Sequence, residues 1–515
     1  MPPYVVTLAT CNLNQWQLDF DGNLARIKRS IDLARAAGAR FRTGPELEVT
    51  GYGCEDHFLE SDTLAHALES LAALLAGGYS DGLLIDIGLP LLHCGARYNC
   101  RVFCLDRAIL LVRPKLALAD DGNYREGRWF TAWRESRGLE DFQLPPELSA
   151  ACARGQRSAP MGVAVLRLRD ATLACETCEE LFTPAAPHIR AALAGVDVLA
   201  NGSGSHHQLR KLNTRVELMT EATAKCGGVY LYANQKGCDG GRLYFDGCAM
   251  VVANGACLAQ GAQFGLLDVE VVSAAVDLEA ARSLRAAQAS LGVQANAAQA
   301  LPHVAVDYFL GEVGGSGAAR PPAARARPSP PRPVVYACPE EEIGRGPGCW
   351  LWDYLRRSGA GGYFLPLSGG ADSAATASIV GVMCHMVCEA AGAGGEGGAA
   401  VLADVRRVTR DPAFSLEGGP AHLANAIFHT CVGGGGGAAR GGAAGALRAL
   451  AARLLRAHTH TKPTHTHSHT HTPLPRPLSP PKQGLHGHLQ LQPCHAPPRR
   501  LAGGADWRAP LLAQH

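Results

Sequence analysis

The stretch Ala174-Cys175-Glu176-Thr177-Cys178-Glu179-Glu180-Leu181-Phe182 follows the apolar run Val163 to Leu166 and precedes the turn-rich Thr183-Pro184-Ala185-Ala186-Pro187. A thiol set shortly after a strand-like run and followed by two carboxylates is either a nucleophile held at a strand-to-helix elbow or a buried structural thiol. The surroundings give the fold class. Between Tyr4 and about residue 280, short apolar runs recur: Tyr4 to Ala9, Leu83 to Gly88, Val102 to Leu105, Ile109 to Val112, Val196 to Ala200, Val229 to Ala233 and Met250 to Ala253. They alternate with stretches of helical period, such as Leu24, Ile27, Ile31 and Ala34, then Thr63 to Ala76 and His206 to Lys225. Strands interleaved with helices predict a layered α/β domain.

A chain of 515 residues exceeds the size at which one core stops growing, roughly 250 to 300 residues, so more than one domain is expected. The net charge of +2, of mixed sign along the chain, leaves no basic stripe for nucleic acid and no polybasic flank for a membrane surface. Small, weakly charged partners fit better. Met1-Pro2-Pro3-Tyr4-Val5-Val6-Thr7 lacks the basic start and apolar core of a signal peptide and reads at once as a first strand, so a non-secreted, cytoplasmic chain is expected. The apolar stretch Leu71 to Leu92 is broken by Gly77, Gly78, Asp81, Asp86 and Pro90, and no membrane anchor is expected from it. The 18 cysteines are expected as reduced core thiols.

Residues 311–334 change character, with Gly314-Gly315-Ser316-Gly317, Arg320-Pro321-Pro322 and Pro328-Ser329-Pro330-Pro331, and read as an exposed linker. It separates a domain spanning 1–310 from a second unit, 335–432. There Trp350 to Leu355 looks helical, Tyr363 to Leu367 reads as a buried strand, and a glycine turn leads into a helical pattern from Ala374 to Glu389. From Gly433 to His515 the only carboxylate side chain is Asp506 and little periodic apolar face remains, so residues 433–515 are expected to be disordered. The alternating run His465-Thr466-His467-Ser468-His469-Thr470-His471-Thr472 is what a CA dinucleotide repeat encodes, and the tail is expected to be translated non-coding or mis-spliced sequence. A histidine-rich metal-binding tail is the rival reading.

Three segments place reactive side chains in Gly-punctuated apolar surroundings: Gly44-Pro45-Glu46-Leu47-Glu48-Val49-Thr50-Gly51-Tyr52, Leu111-Val112-Arg113-Pro114-Lys115-Leu116-Ala117, and the Cys178 segment. A carboxylate takes the proton from a thiol, and an ammonium stabilises the anion formed when thiolate attacks a carbonyl. Brought together, Glu46, Lys115 and Cys178 make an amidase. Singly, each has a plainer reading: Glu46 a helix cap, Lys115 a solvated strand end, Cys178 a core thiol. Cys175 and Cys178 form a Cys-x-x-Cys, but Cys238 and Cys248 do not supply a second ligand pair at matching spacing, and no metal site is expected. In the second unit, Leu365-Pro366-Leu367-Ser368-Gly369-Gly370-Ala371-Asp372-Ser373 places paired glycines between a strand and a helix, where backbone amides and the Ser368 and Ser373 hydroxyls can cradle a pyrophosphate. No Gly-Lys-Ser/Thr follows, so this is not a Walker loop.

The Glu46, Lys115 and Cys178 segments resemble those of the nitrilase superfamily in the same order. More closely, residues 4 to about 310 resemble the glutaminase domain of the eukaryotic glutamine-dependent NAD synthetases, through Gly44 to Asp56, Tyr98-Asn99-Cys100-Arg101-Val102, Gly122-Asn123-Tyr124-Arg125-Glu126, Arg128-Trp129-Phe130, Asn201 to His207 and Ala233 to Gly240. The loop Ser368-Gly369-Gly370-Ala371-Asp372-Ser373 resembles that of the N-type ATP pyrophosphatases. The resemblance implies a nitrilase-like αββα sandwich followed by a partial doubly wound α/β domain of the adenine nucleotide hydrolase type. It implies Glu46 as general base, Lys115 as partner of the tetrahedral intermediate and Cys178 as nucleophile, with Tyr52, Glu126, Phe130, Glu179 and Ser203 as glutamine-binding or supporting positions. Pro366, Leu367, Ser368, Gly369, Gly370, Ala371, Asp372 and Ser373 would contact ATP, Asp372 through magnesium, Mg2+. The implied partners are glutamine, nicotinic acid adenine dinucleotide and ATP, in a homo-oligomer. In relatives the second domain continues beyond Cys431, and an impaired synthetase half is therefore expected. Glu55 and Gly127 stand where that family more often has bulkier apolar residues. The alternatives are a stand-alone amide hydrolase and a non-catalytic subunit-binding fragment.

Overall fold

Side-chain alternation sorts the apolar residues of residues 4–311 into layers. In the computed structural model, which describes residues 4–311 and 327–432, the strand Val229–Cys238 turns Val229 and Leu231 into one core and Tyr230 and Tyr232 into another. The strand Val198–Ser203 does the same with Val198 and Ala200 against Leu199. Period-two burial on both faces requires a layer on each side of the sheet.

The shared inner core gathers Val6, Leu8, Phe41, Leu84, Phe103, Leu166, Leu173, Val198, Leu231 and Val251. Outside it, the helices Phe20–Ala36 and Ser61–Ala76 bury Ile27, Ile31, Ala67, Leu71 and Leu74 against Ile85, Ile87 and Val102. On the opposite side Lys211–Cys226 buries Leu212, Val216 and Met219 against Tyr230, Tyr232 and Met250. The result is the expected α/β layering of helices, sheet, sheet and helices. Along the sheet, Thr172–Thr177, Val198–Ser203, Val229–Cys238, Val5–Leu13, Phe41–Thr43 and Leu84–His93 follow one another in parallel. Ala96–Leu105 and Ala108–Pro114 then continue antiparallel, so Ala108–Pro114 again runs in the common direction. The carboxyl ends of strands distant in sequence therefore meet on one edge, where open α/β sheets bind ligands.

Residues 327–335 are largely exposed, as a linker should be, yet they are pinned: Ser329 N donates to Ala275 O at 2.8 Å, Arg332 N to Cys257 O at 2.8 Å, and Val335 N to Gln260 Oε1 at 2.8 Å. The helix that follows is longer than its sequence suggests, Pro339–Ser358, running through Gly344, Gly346, Pro347 and Gly348. Packing overrides propensity here. A Cβ on Gly346 would meet the His207 ring at 3.0 Å, so the small residues let the helix approach the first sheet's loops.

The strand Tyr363–Leu367 pairs in parallel with Phe428–Val432, and the helix Ala371–Gly392 follows the loop between. Tyr363–Leu367 is only partly covered, whereas a buried strand was expected. A two-stranded sheet leaves one face open. Among the described residues Ala371–Gly392 is long and apolar enough to cross a membrane by length and composition, a feature the sequence reading did not single out. Its Val380, Met383, Cys384 and Val387 are buried against Trp352, Leu355, Val401 and Leu423. The 433–515 tail with its His-Thr run, and residues 312–326 of the linker, lie outside the described residues.

Candidate active site

The Glu46 loop is held by buried arginines. Arg101 Nη1 donates to Pro45 O at 2.6 Å and Nη2 to Gly44 O at 2.7 Å, while its guanidinium pairs with Asp86 at 2.8 Å. Arg42 pairs with Glu48 at 2.7 Å, both without exposure. A Cβ on Gly202 would lie 2.1 Å from Arg101 Nη1 and 2.5 Å from Gly44 O, so only glycine permits this approach. Glu46 is thereby fixed under the ends of two strands. Gln235 Nε2 holds its carbonyl at 2.8 Å, and its carboxylate accepts from Asn99 Nδ2 at 2.7 Å, Gly204 N at 3.0 Å and Lys115 Nζ at 2.6 Å.

Lys115 follows the strand Ala108–Pro114 directly and is fully buried between two carboxylates, with Glu126 Oε1 at 2.8 Å. Burial alone would push the ammonium down, but Glu126 and Glu46 outweigh it and hold its pKa above the usual lysine range. Burial, opposed by Lys115 and reinforced by Glu46, pushes Glu126 up to about 7. Two carboxylates sharing one ammonium are driven apart in proton affinity. The Tyr52 hydroxyl bonds Glu126 Oε1, and the Tyr52 ring stands edge-on to Tyr124 and Phe245, 5.9 and 5.8 Å between centroids. Phe130 packs on Phe58 at 4.8 Å in the same aromatic cluster as Tyr52.

Cys178 closes the group from the strand Thr172–Thr177. It opens the short helical turn Cys178–Phe182 at φ +45°, a strained backbone for a side chain with a Cβ, and its amide donates to Asn201 Oδ1 at 3.1 Å. Strain of this kind points to function at an elbow rather than to packing. Burial and the Glu46 charge push the thiol well above its ordinary value, with Lys115 pulling the other way. Cys175, three residues earlier, points into the inner core, so the Cys-x-x-Cys pair is split between two faces. Ser203 donates to Asn201 Oδ1 at 2.8 Å and so supports the Cys178 amide's acceptor. Glu179 is half-buried, and burial pushes its carboxyl up against the pull of Lys115 and Lys211.

Several residues of the site were not singled out from the sequence. Glu180 is buried and accepts Thr177 N at 2.6 Å, Leu116 N, and Arg113 Nη1 at 2.7 Å. Asn99 sits in a segment whose resemblance was noted, but its role as a donor to Glu46 was not. Lys211 starts a helix that reads as ordinary periodicity. Its Nζ lies 5.6 Å from the Tyr124 ring centroid and 5.9 Å from that of Phe182. Burial lowers its pKa, and the Cys178 thiol opposes that shift. No local signal marks it.

The loop 366–373 lies apart from this group, as a strand, turn and helix. Ser368 Oγ lies 3.2 Å from Ser373 Oγ and accepts Gly370 N at 3.3 Å, Gly369 has φ +82°, and Gly370 caps the helix Ala371–Gly392. Pro366 and Leu367 end the strand, and Ala371 and Asp372 lie exposed in the first helical turn. Residues 368–372 are exposed, and Gly370 as the cap gives the helix no side-chain hydrogen bond, so the helix start is accessible to an anion.

The carbon-nitrogen hydrolase family model matches residues 7–286. The chain is 52% identical over 428 residues to the glutamine-dependent NAD(+) synthetase of Saccharomyces cerevisiae, covering 83% of this chain and 59% of that protein. It is 51% identical over 426 residues to that of Homo sapiens, covering 83% and 58%. The chain thus spans less than two thirds of the length of these curated relatives. Among solved structures, a glutamine-dependent NAD(+) synthetase from Cytophaga hutchinsonii superposes with TM-score 0.62 at 22% identity, over 83% of this chain and 60% of that one. The Acinetobacter baumannii enzyme, solved with adenosine diphosphate, gives 0.53 at 17%, over 89% and 69%. These two likenesses speak for the fold.

Proposed function

Because the chain belongs to the carbon-nitrogen hydrolase family, we propose that it hydrolyses the side-chain amide of glutamine at Cys178 and that the ammonia serves NAD synthesis. The observation that carries the reading is the buried bridge of Lys115 Nζ between Glu46 and Glu126, with the strained Cys178 elbow in the same electrostatic group. The thiol is protonated at rest, so its proton passes to Glu46 as sulfur attacks the amide carbon. The developing oxyanion is stabilised by the Lys115 ammonium. When the C–N bond breaks, the proton held by Glu46 goes to the departing nitrogen, leaving ammonia and a glutamyl thioester. Water, deprotonated by Glu46, then cleaves the thioester to glutamate and restores the thiol.

Lys211 gives the site its preference for an amino acid amide. Its ammonium, set over two rings and near Cys178, is placed for the α-carboxylate of glutamine. In the second half of the reaction, ATP adenylates the carboxylate of nicotinic acid adenine dinucleotide with release of pyrophosphate, and ammonia displaces AMP to give NAD. The loop Ser368 to Ser373 at the start of Ala371–Gly392 is the part of this chain suited to the phosphates, and Asp372 would hold the magnesium that accompanies them. A cytoplasmic setting belongs to the same proposal.

The test is ammonia release from glutamine by the whole chain and its Cys178→Ala variant, followed by NAD formation from ATP, the acid dinucleotide and glutamine. Release that survives in the variant overturns the site. Release without NAD formation leaves an amide hydrolase.

A further inference from the structure

The strands Leu84–His93 and Ala96–Leu105 are joined by two residues, Cys94 and Gly95, with His93 paired to Ala96. Both loop residues have positive φ, +49° and +77°, as a primed type I turn requires. That turn favours Asn, Asp or Gly at its first position. Here the position carries an exposed thiol. Cys94 Sγ lies 3.5 Å from Nε2 of the largely buried His93, and the same nitrogen lies 2.8 Å from Glu140 Oε2 on the strand Glu140–Gln143. One sulfur, one nitrogen and one oxygen all lie within 4.8 Å of one another.

Two of the three donors are held in advance. Arg137 holds both oxygens of the Glu140 carboxylate, Nε to Oε1 at 2.6 Å and Nη2 at 2.7 Å to Oε2, the oxygen that His93 also meets. It is itself fixed over the Trp133 ring at 4.6 Å and reaches the Tyr98 hydroxyl at 3.4 Å. The His93 ring is packed by Trp133 and Phe142, with centroids 6.3 and 6.0 Å away. Carboxylates that bind metals are oriented by such outer hydrogen bonds. None of these groups belongs to the Glu46, Lys115 and Cys178 cluster.

We propose that His93 Nε2, Cys94 Sγ and Glu140 form a zinc site at the tip of this hairpin. A mixed thiolate, imidazole and carboxylate set suits tetrahedral zinc, and with Cys94 exposed the fourth position is open to water. On binding, the Cys94 S–H bond breaks, its proton goes to solvent and a Zn–S bond forms. The metal takes the place of the direct His93–Glu140 hydrogen bond at Oε2, while Arg137 Nε stays on Oε1.

The experiment alkylates the full chain with iodoacetamide, with and without zinc chloride, and follows Cys94 by peptide mass spectrometry with the exposed Cys338 as internal reference. Zinc is expected to slow alkylation of Cys94 by roughly an order of magnitude or more relative to Cys338, because metal binding ties up the thiolate. His93→Gln and Glu140→Gln should each restore the zinc-free rate. Arg137→Ala should raise the zinc concentration needed for protection by about 10- to 100-fold. Equal rates with and without zinc overturn the site, and so does protection that persists in both His93→Gln and Glu140→Gln.

Discussion

The Glu180 carboxylate lies buried on the Arg113 guanidinium, 2.7 Å from Nη1, and ties the Cys178 elbow to the strand end that carries Lys115. One oxygen accepts Leu116 N beside Lys115, and the other accepts Thr177 N beside Cys178, at 2.6 Å. Cys178 and the Lys115 ammonium thus share one buried positioning group.

Replacing it by Glu180→Gln keeps the shape but removes the charge and one acceptor. Misplacement of reacting groups by about 1 Å costs on the order of 10²-fold in rate. The expected outcome is a fall in kcat for glutamine of roughly 10- to 100-fold, with a smaller change in KM. The unpaired Arg113 should also cost about 3–5 kcal/mol of stability, read from urea unfolding.

Cys178→Ala should abolish ammonia release, by at least about 10³-fold, since the covalent route is gone. The side chain is lost but the elbow's φ and its Asn201 contact are main-chain features, so the melting temperature should change little. Steady-state ammonia assays and a thermal melt on the same sample check both.

Folding raises Glu126 from 4.5 to about 7. Between those values the folded chain keeps a proton that the unfolded chain has lost. The stability linked to this group is therefore complete below 4.5 and is lost as pH rises through about 7. In Glu126→Gln that loss is absent, so melting temperature should fall less steeply between about pH 5 and 8. The pH profile of kcat/KM for glutamine should also lose an inflection near 7.

Lys211→Ala should raise KM for glutamine by about 10- to 100-fold, the worth of a hydrogen bond to a charged group, with kcat changed much less. Amides that lack an α-carboxylate should be unaffected. Equal losses on both kinds of substrate would assign Lys211 to general packing instead.

Asp353 is buried where the helix Pro339–Ser358 meets the first sheet. It accepts Asn14 Nδ2 at 3.1 Å and Cys238 N at 3.2 Å, and it pairs with Arg356 at 2.8 Å. Asp353→Ala leaves the Asn14 and Cys238 donors unpaired, while Arg356 keeps Asp268 and Asp404, so a loss of about 1–3 kcal/mol in chemical denaturation is expected. A loss under about 1 kcal/mol would show the contact to be weak.

The alternation of runs such as Val229 to Ala233, the helical stripe of Ile27, Ile31 and Ala34, and the glycine loop at Ser368 were legible in the sequence because period and turn chemistry are local properties. The order of Glu46, Lys115 and Cys178 was legible through resemblance. Tertiary structure decided which side chains meet. Glu46, Lys115, Cys178 and Asn201 follow or end strands far apart in sequence, and only the strand order brings those ends to one edge. It decided that Cys175 faces the core while Cys178 faces the site, and that Pro339–Ser358 stays helical through Pro347. It also set the charges: Glu126 and Lys211 owe their shifted affinities to burial and to neighbours far along the chain, and no linear pattern encodes either.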